Sequence, residues 1–280
     1  MLPVHPVGVF DSGVGGLTVA REIIRQLPLE TIIYYGDTAH VPYGSRPVDE
    51  LIRFADAIVG FLIARGAKAI IDACNTTSAV ALPYLRDKYA IPIVGVIEPG
   101  VVAALQATRN GCIGVIATEA TVASNAHREA ILARDGKVRV LARACPKLVP
   151  LVEAGVVSGP EVEAAVAEYM LPLVEAGIDT LILGCTHYPF LAPVIQEVAG
   201  PGVTLIDPAT ATVQELRNVL AAAGGLRGFH CSAAHNFFVS GDAQSFSQVG
   251  RKLVGWPELE ATRKLELEKG GPHIDQEPGA

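Results

Sequence analysis

Short apolar runs alternate with longer amphipathic segments along most of this chain. Each run is typical of a buried parallel strand, because it is nearly continuously apolar and ends in a turn of small or polar residues. The predicted strands lie at 7–10, 31–36, 67–73, 91–97, 112–117, 137–142, 181–184, 203–206 and about 237–240. Between them, apolar residues recur three or four positions apart, which predicts helices at 15–27, 48–65, 78–88, 121–134, 160–176, 192–199, 210–223 and 243–254.

This alternation predicts an α/β fold with mostly parallel sheets and helices on both faces. The second half of the pattern also repeats the first. Cys74 lies 8 positions after Gly66, and Cys185 lies 8 positions after Gly177. The fourth strand of each half runs into an acidic residue followed by proline. We therefore predict two copies of one four-strand unit, each with a cysteine after its third strand.

The repeat predicts two similar domains related by a pseudo-twofold axis, with the active site in the cleft between them. The chain would cross between the domains at Glu98–Pro99 and return at Asp207–Pro208. The predicted domains are residues 1–98 together with 208–265, and residues 99–207. From 266 to 280 the chain is charged and rich in glycine and proline, which predicts a disordered tail.

Charge and composition narrow the possible functions. The 280 residues carry a formal net charge of −7 with a pI near 5.5, whereas a nucleic-acid surface is expected to be basic. No apolar run approaches the length of about 20 residues that spans a bilayer, and the N-terminus lacks a secretion signal. Five cysteines, an odd number, favour a reducing cytoplasmic compartment over a disulfide framework. No C-x-x-C pair is present, so no metal site is predicted.

Polar side chains follow the predicted strands, where parallel sheets bind their ligands. The candidates are Asp11, Ser12, Tyr43, Gly44, Cys74, Asn75, Thr76, Thr118, Thr121, Glu153, Cys185, Thr186 and His187. If the domains face each other, Cys74 and Cys185 reach one cleft from opposite sides. Two opposed thiols suit the inversion of a carbon that bears an acidic hydrogen, since one base removes the proton and the other returns it on the opposite face.

Several of these residues also have a simpler structural interpretation. Asp11 fits a helix N-cap, and His187 fits a plain turn residue. Glu153 fits an exposed helix residue. The remaining cysteines are predicted to be small buried apolar residues, at Cys112, Cys145 and Cys231.

The motifs together resemble those of glutamate racemases, which act without a cofactor. The segments that carry the resemblance are FDSGVGGLTV from Phe10, YYGDTAHVPYGSR from Tyr34, ACNTTSA from Ala73, CPKLVPLVEAG from Cys145, LILGCTHYPFL from Leu181 and FFVSGD from Phe237. The match extends over nearly the whole chain to about Gly255. One departure is His127, where the family pattern leads us to expect tyrosine.

The resemblance implies a role for each candidate. Cys74 would be the base toward D-glutamate, assisted by Asp11, and Cys185 the base toward L-glutamate, assisted by His187 and Glu153. Substrate contacts would come from Asp11, Ser12, Tyr43, Gly44, Asn75, Thr76, Thr118, Thr121, Thr186 and His187. The resemblance also implies a homodimer without pyridoxal phosphate or metal, which supplies D-glutamate for peptidoglycan.

Three other interpretations remain at this stage. Aspartate and hydantoin racemases share the paired cysteines, and only the resemblance separates them from a glutamate racemase. A nucleotide-dependent oxidoreductase would explain Gly13 and Gly15 after the first strand and Asp37 after the second, but Thr18 replaces the third glycine. A non-catalytic binding protein would need neither thiol.

Overall fold

The computed structural model describes residues 2–228 and 235–267. Its strands are β1 (Val7–Asp11), β2 (Ile32–Gly36), β3 (Ala69–Asp72), β4 (Ile93–Gly95), β5 (Cys112–Ala117), β6 (Arg139–Ala144), β7 (Thr180–Gly184), β8 (Thr204–Ile206), β9 (Asn236–Val239) and β10 (Arg263–Lys264). Its α-helices are α1 (Leu17–Gln26), α2 (Val48–Ala64), α3 (Asn75–Val80), α4 (Leu82–Lys88), α5 (Ile97–Ala107), α6 (Glu119–Ala123), α7 (Ala126–Arg134), α8 (Leu148–Glu153), α9 (Pro160–Glu175), α10 (Ala192–Ala199), α11 (Pro208–Ala222) and α12 (Ala243–Val254).

These strands form two separate sheets in which every pairing is parallel. The first has the order β10-β9-β2-β1-β3-β4, and the second has the order β6-β5-β7-β8. The order β2-β1-β3-β4 in the first sheet is repeated by β6-β5-β7-β8 in the second. The predicted α/β class and the internal repeat are therefore confirmed, and the two cysteine strands occupy equivalent places.

Helices cover both faces of each sheet because the strands are apolar on both sides. On β1, Val7 and Val9 pack toward one face, while Phe10 packs with α2 and α4 on the other. The second sheet is covered by α9 and α10 on one face and by α5 and α7 on the other. Burial of these strands on both sides is the reason that their sequences read as continuous apolar runs.

The structure corrects several predicted boundaries. The strand predicted at 91–97 ends at Gly95, and helix α5 begins at Ile97 because a proline in the first turn does not break a helix. The helix predicted at 121–134 is interrupted at Asn125, whose φ of 57° is left-handed. The helix predicted at 78–88 is two helices, α3 and α4. The loop before Glu153 contains helix α8.

The predicted domain crossings lie in neighbouring helices. Glu98–Pro99 is in the first turns of α5, and Asp207–Pro208 begins α11. These helices pack closely, since a Cβ at Gly100 would lie 3.1 Å from the Pro208 ring. We retain 1–98 with 208–265, and 99–207, as the proposed domains. Of the predicted tail, Leu267 packs against the first domain, and residues 268–280 lie outside the described residues, as does Cys231.

Within residues 2–228 and 235–267, no helix is both long and apolar enough to cross a bilayer.

Candidate active site

The carboxyl ends of both sheets open onto one cleft. Its walls are Ser12, Pro42, Tyr43, Gly44, Ser45, Cys74, Asn75, Thr76, Thr118, Glu119, Cys145, Pro146, Val149, Cys185, Thr186 and His187. The cleft encloses about 560 Å³ of empty space, including its open mouth. Ten of the predicted residues are in this wall, and Asp11, Thr121 and Glu153 lie directly behind it. Cys74, after β3, and Cys185, after β7, are 5% and 6% exposed in this one cleft.

Cys185 is the first member of a chain of three polar side chains. Its Sγ lies 3.5 Å from Nδ1 of His187, and Nε2 of the same ring lies 2.6 Å from Oε1 of Glu153. Glu153 is fixed at the end of α8, where its Oε1 also accepts the backbone N–H of Val14 at 3.1 Å. The imidazole therefore connects the thiol to a carboxylate supplied by a neighbouring helix.

The charges of this chain favour a protonated imidazole. Burial lowers the pKa of His187, but the neighbouring Cys185 and Glu153 outweigh burial and raise that pKa well above its usual value. Burial likewise raises the pKa of Glu153, and the hydrogen bond and charge of His187 reverse this, so that its pKa is lower than usual. The His187 ring therefore brings a positive charge into contact with the Sγ of Cys185.

Cys74 lies in a different electrostatic environment. Burial raises the pKa of its thiol, and the nearby carboxyl groups of Asp11 and Asp72 raise it further. No histidine contacts Cys74 among residues 2–228 and 235–267 in the way that His187 contacts Cys185. The two thiols therefore lie in different charge environments, and that of Cys74 favours its protonated form.

Asp11 is completely buried at the end of β1 and connects the two sheets. Its Oδ2 accepts the N–H groups of Gly13 and Gly16 at 3.1 and 2.9 Å, and its Oδ1 accepts the hydroxyl of Thr186 at 3.1 Å. Burial raises the pKa of Asp11, and the charge of His187 is the largest influence that lowers it. The carboxylate therefore lies between the two cysteine turns and fixes the loop after β1.

Three threonine hydroxyls bridge the cleft. Oγ1 of Thr118 lies 3.0 Å from Thr76 and 2.9 Å from Thr121, and the Thr121 hydroxyl donates to Thr76 at 3.2 Å. Thr76 belongs to α3 in the first half of the chain, whereas Thr118 and Thr121 follow β5 in the second. These hydroxyls hydrogen-bond to one another in the structure, and each can rotate to hydrogen-bond to a polar ligand instead.

Tyr43 is positioned by Asp37, which follows β2. The tyrosine hydroxyl donates to Asp37 Oδ2 at 2.5 Å, and Asp37 Oδ1 accepts from Ser240 at 2.6 Å. The guanidinium Nε of Arg46 donates to the carbonyl of His40 at 2.5 Å and closes the loop.

The comparisons with known proteins agree with this geometry. The sequence profile described as Asp/Glu/Hydantoin racemase matches residues 8–216. A glutamate racemase of Desulforudis audaxviator (strain MP104C) is 51% identical over 255 residues, which cover 89% of this chain and 93% of that protein. The chain belongs to the glutamate racemase family.

Solved structures of glutamate racemases share the whole architecture. The crystal structure of an isoform from Bacillus anthracis is 40% identical with a TM-score of 0.86, and the match covers 94% of this chain and 97% of that chain. The glutamate racemase of Francisella tularensis subsp. tularensis SCHU S4, solved in complex with D-glutamate, is 35% identical with a TM-score of 0.87 and covers 96% and 99%.

Sequence reasoning missed part of the cleft of this glutamate racemase family member. Pro42 and Ser45 flank the predicted Tyr43 and Gly44, so proximity in the chain was an available signal. Cys145 is buried, as predicted, yet it lines the cleft. Glu119, Pro146 and Val149 carry no local pattern that distinguishes them from other loop residues. Asp72 was also missed, although a carboxyl inside an apolar strand was a visible anomaly.

The first loop is unsuited to the dinucleotide that an oxidoreductase of another family would bind. A Cβ on Gly13 would lie 2.1 Å from Glu153 Oε1, and one on Gly15 would lie 2.3 Å from Thr186 Oγ1. Side chains therefore fill the space that a pyrophosphate would need against the loop. No group of three or more His, Cys, Asp or Glu side chains suited to a metal ion occurs within the described part of the chain.

Proposed function

We propose that this protein is a glutamate racemase that interconverts L- and D-glutamate with two cysteine bases and no cofactor. The observation that carries the proposal is that Cys74 and Cys185, from equivalent positions of the two repeats, line one cleft. A hydrolase would need one nucleophile and one base, and the second thiol would have no role. Opposed thiols match a reaction in which a proton leaves one face of Cα and arrives on the other.

The resting charges indicate how the L-enantiomer reacts. Cys185, as the thiolate beside the His187 imidazolium, takes the Cα proton of L-glutamate. Cys74, which holds its proton, gives that proton to the opposite face, and D-glutamate results. Afterwards Cys185 carries the proton and Cys74 is the thiolate. The same steps in reverse convert D-glutamate. Otherwise the starting state returns when Cys185 loses its proton through His187 and Cys74 takes a proton from solvent.

Polar groups on the wall suit an amino acid with two carboxylates. Asn75 is buried at the cleft, and its Oδ1 has no hydrogen-bond partner in the described part of the chain, so it is ready to accept from a substrate ammonium group. The hydroxyls of Ser12, Thr76 and Thr118 supply donors for carboxylate oxygens, and the Thr186 oxygen, whose hydrogen goes to Asp11, can accept from the ammonium group. Asp11 and Thr121 support these groups from behind the wall.

The experiment that tests the proposal measures both the uptake of deuterium at Cα and the chirality of the product. L-Glutamate is incubated with the protein in heavy water, and D-glutamate and Cα deuterium are measured by chiral chromatography and mass spectrometry. We expect D-glutamate to form with deuterium at Cα. Cys74→Ala and Cys185→Ala should each abolish racemisation, whereas Cys112→Ala, which removes a thiol outside the cleft, should retain it. Parental rates in either cleft variant would contradict the two-thiol mechanism.

The same assay decides substrate choice within the family. L-Aspartate and L-glutamate are offered side by side at equal concentration. Preferential turnover of aspartate would replace the proposed substrate while leaving the two-thiol chemistry intact. No turnover of either amino acid would favour a hydantoin substrate or a non-catalytic binding protein.

The cellular setting completes the proposal. We propose a cytoplasmic homodimer that acts without nucleic acid or membrane and supplies D-glutamate for peptidoglycan synthesis. The net charge of −7 supports a protein that does not bind nucleic acid, and the odd number of cysteines supports a reducing compartment. Sedimentation equilibrium measures the mass directly, and a value near 29.4 kDa, that of one chain, would contradict the dimer.

A further inference from the structure

Asp72 is a buried carboxyl group that the proposed reaction does not use. It ends β3, two residues before Cys74, and is 0% exposed. Its Oδ1 accepts the hydroxyl of Thr77 at 2.5 Å, while its Oδ2 is buried without a hydrogen-bond partner in the described residues. An ionised carboxylate with one bare oxygen in such a place is costly, since its charge loses water and gains no cation.

Within residues 2–228 and 235–267, no positively charged side chain contacts Asp72 to offset an ionised form. Strand alternation places it on the same face as Ile70, against the apolar helices α2 and α4. The buried side chains there are aliphatic or aromatic on α2, at Leu51, Ala55, Ile58, Val59, Phe61 and Leu62, and on α4, at Leu82 and Leu85. On the neighbouring strands, the partners of Asp72 are Gly95 of β4, which has no side chain, and Phe10 of β1. The next residue of β1, Asp11, is a second carboxyl that acts on Asp72 through its charge.

Three acidic groups therefore share this region, namely Asp11, Asp72 and Cys74. Asp11 receives two backbone N–H groups and one hydroxyl, so it is the best able to carry a charge. Burial raises the pKa of Asp72 to about 8. The hydrogen bonds of Thr77, Ser78 and the Cys74 backbone lower it only in part, and the charge of Asp11 raises it further. Near neutral pH, Asp72 is a neutral carboxylic acid.

Asp72 also holds the turn that carries Cys74. The Thr77 hydroxyl that it accepts also contacts the Cys74 carbonyl at 3.2 Å, and the Ser78 hydroxyl donates to the Asp72 carbonyl at 3.1 Å. Any change of charge on Asp72 therefore alters the hydrogen bonds that hold the first turn of α3. Because like charges disfavour each other, an ionised Asp72 raises the pKa of the Cys74 thiol.

We propose that Asp72 is a positioning residue that controls the proton on Cys74: as a neutral acid it holds the Cys74 turn and permits the thiolate, and as a carboxylate it keeps Cys74 protonated. This inference rests on the proposed two-thiol function and adds a pH limit to it. Only one of Asp72 and Cys74 carries a charge at a time. Formation of the Cys74 thiolate, with which conversion of D-glutamate begins, is then suppressed at alkaline pH. Racemisation falls in both directions there, whereas an isolated thiol would become more active.

The test compares the parent with Asp72→Asn, which keeps the shape and stays neutral at every pH. The rate of Cys74 alkylation by brief exposure to iodoacetamide is measured by site-resolved mass spectrometry at pH 6.5 and pH 9. At pH 6.5 the two proteins should react equally. At pH 9 the variant should react about tenfold faster, the factor that corresponds to one pKa unit. A ratio that is unchanged between the two pH values would overturn the proposal, because a structural disturbance alone acts at both.

Asp87→Asn is the matched control, because Asp87 is an exposed carboxyl on α4. It removes the same formal charge and should react at Cys74 like the parent at both pH values. Equal acceleration in this control would also overturn the proposal, since the effect would then come from net charge.

A measurement on the unsubstituted protein covers the case in which Asp72→Asn does not fold. Carbon-13 NMR of aspartate carboxyl carbons should show one carboxyl that is still protonated at pH 7. Finding every aspartate ionised at pH 7 would refute the proposal. The alkylation rate of Cys74 and the carboxyl signal of Asp72 are both measured without turnover. A protein that does not racemise glutamate would therefore contradict the proposed function alone. The alkylation and NMR measurements would still decide whether Asp72 controls Cys74.

Discussion

Nε2 of His187 lies 2.6 Å from Oε1 of Glu153, although the residues come from different elements and lie 34 positions apart. The same imidazole contacts the thiol of Cys185, so a single carboxylate on α8 sets the charge beside that thiol. No equivalent histidine contacts Cys74 in the described part of the chain. The pseudo-symmetric sheets thus hold an asymmetric pair of thiols.

Glu153→Gln should weaken the half of the reaction that uses Cys185. Glutamine keeps a hydrogen bond to His187 but removes the charge that raises the imidazole pKa. For each unit by which that pKa falls, the ratio of imidazolium to neutral imidazole falls about tenfold. We expect kcat/KM to fall about tenfold or more.

The asymmetry should appear in isotope effects, because the equilibrium constant between enantiomers is one and kcat/KM must fall equally in both directions. The primary effect with L-glutamate deuterated at Cα should increase more than that with the D-enantiomer. Equal isotope effects for both enantiomers in Glu153→Gln would contradict the assignment of Glu153 to the Cys185 side.

Gly15→Ala should disrupt the histidine itself. A Cβ at Gly15 would lie 2.6 Å from Nδ1 of His187 and 2.3 Å from Oγ1 of Thr186. The ring is fully buried and held at both nitrogens, so it cannot move aside without losing Cys185 or Glu153. We expect kcat to fall by roughly a hundredfold, the lower range for loss of a positioned acid or base.

Gly60→Ala is the control for that substitution. Its Cβ in helix α2 would meet nothing closer than 3.6 Å, and alanine favours a helix over glycine by about 1 kcal/mol. Activity should stay at the parental level with equal or higher stability in urea. Full activity in Gly15→Ala would show that the close approach of this loop to His187 is not required.

Gly44→Ala should hold the cleft apart. An added Cβ would lie 2.8 Å from Cβ of Thr118, an atom that cannot move without its backbone. The loop of Tyr43 and the turn after β5 would therefore separate, which also strains the Thr76–Thr118 contact. We expect a higher KM for both enantiomers and weaker binding of D-glutamate in calorimetry. A parental KM would indicate that this contact is not part of the closed site.

His127 should make the protein sensitive to acid. It is 4% exposed, and Nε2 has no partner among the described residues, so burial lowers its pKa to about 4. Between about pH 6.5 and 4, His127 is therefore protonated in the unfolded chain but not in the folded chain. The free energy of unfolding is highest above about pH 6.5 and declines as the pH falls toward 4. The largest loss is about 3 kcal/mol.

Urea unfolding at pH 7 and pH 5 measures this dependence. The difference between the two pH values should be smaller in His127→Tyr than in the parent, because tyrosine does not titrate in that range. His5→Tyr, at a partly exposed position, should leave the difference unchanged. An identical pH dependence in His127→Tyr and the parent would refute the role of His127.

The local sequence predicted much of the fold, because periodicity and turn residues report whether a segment is buried on two faces. Helices α10 and α12 begin and end at the predicted residues. The predictions failed where position in the fold overrides the local pattern. Ile97 continues an apolar run, yet it starts a helix because the chain leaves the sheet there. No element was predicted between 142 and 160, where Pro146 and Pro150 lie, yet helix α8 forms there and ends at Glu153.

The opposed cysteines were predicted from sequence, because the internal repeat places each one after its third strand and parallel strands end at the same edge. The difference between their electrostatic environments was not predicted. It depends on Glu153 reaching His187 from α8 and on Asp11 and Asp72 lying near Cys74, which are distances across the fold. Residue identity and spacing determined that both thiols enter one cleft. Only the tertiary structure decided that the pKa of the Cys74 thiol is raised, since a pKa is set by the burial and the neighbouring charges that packing creates.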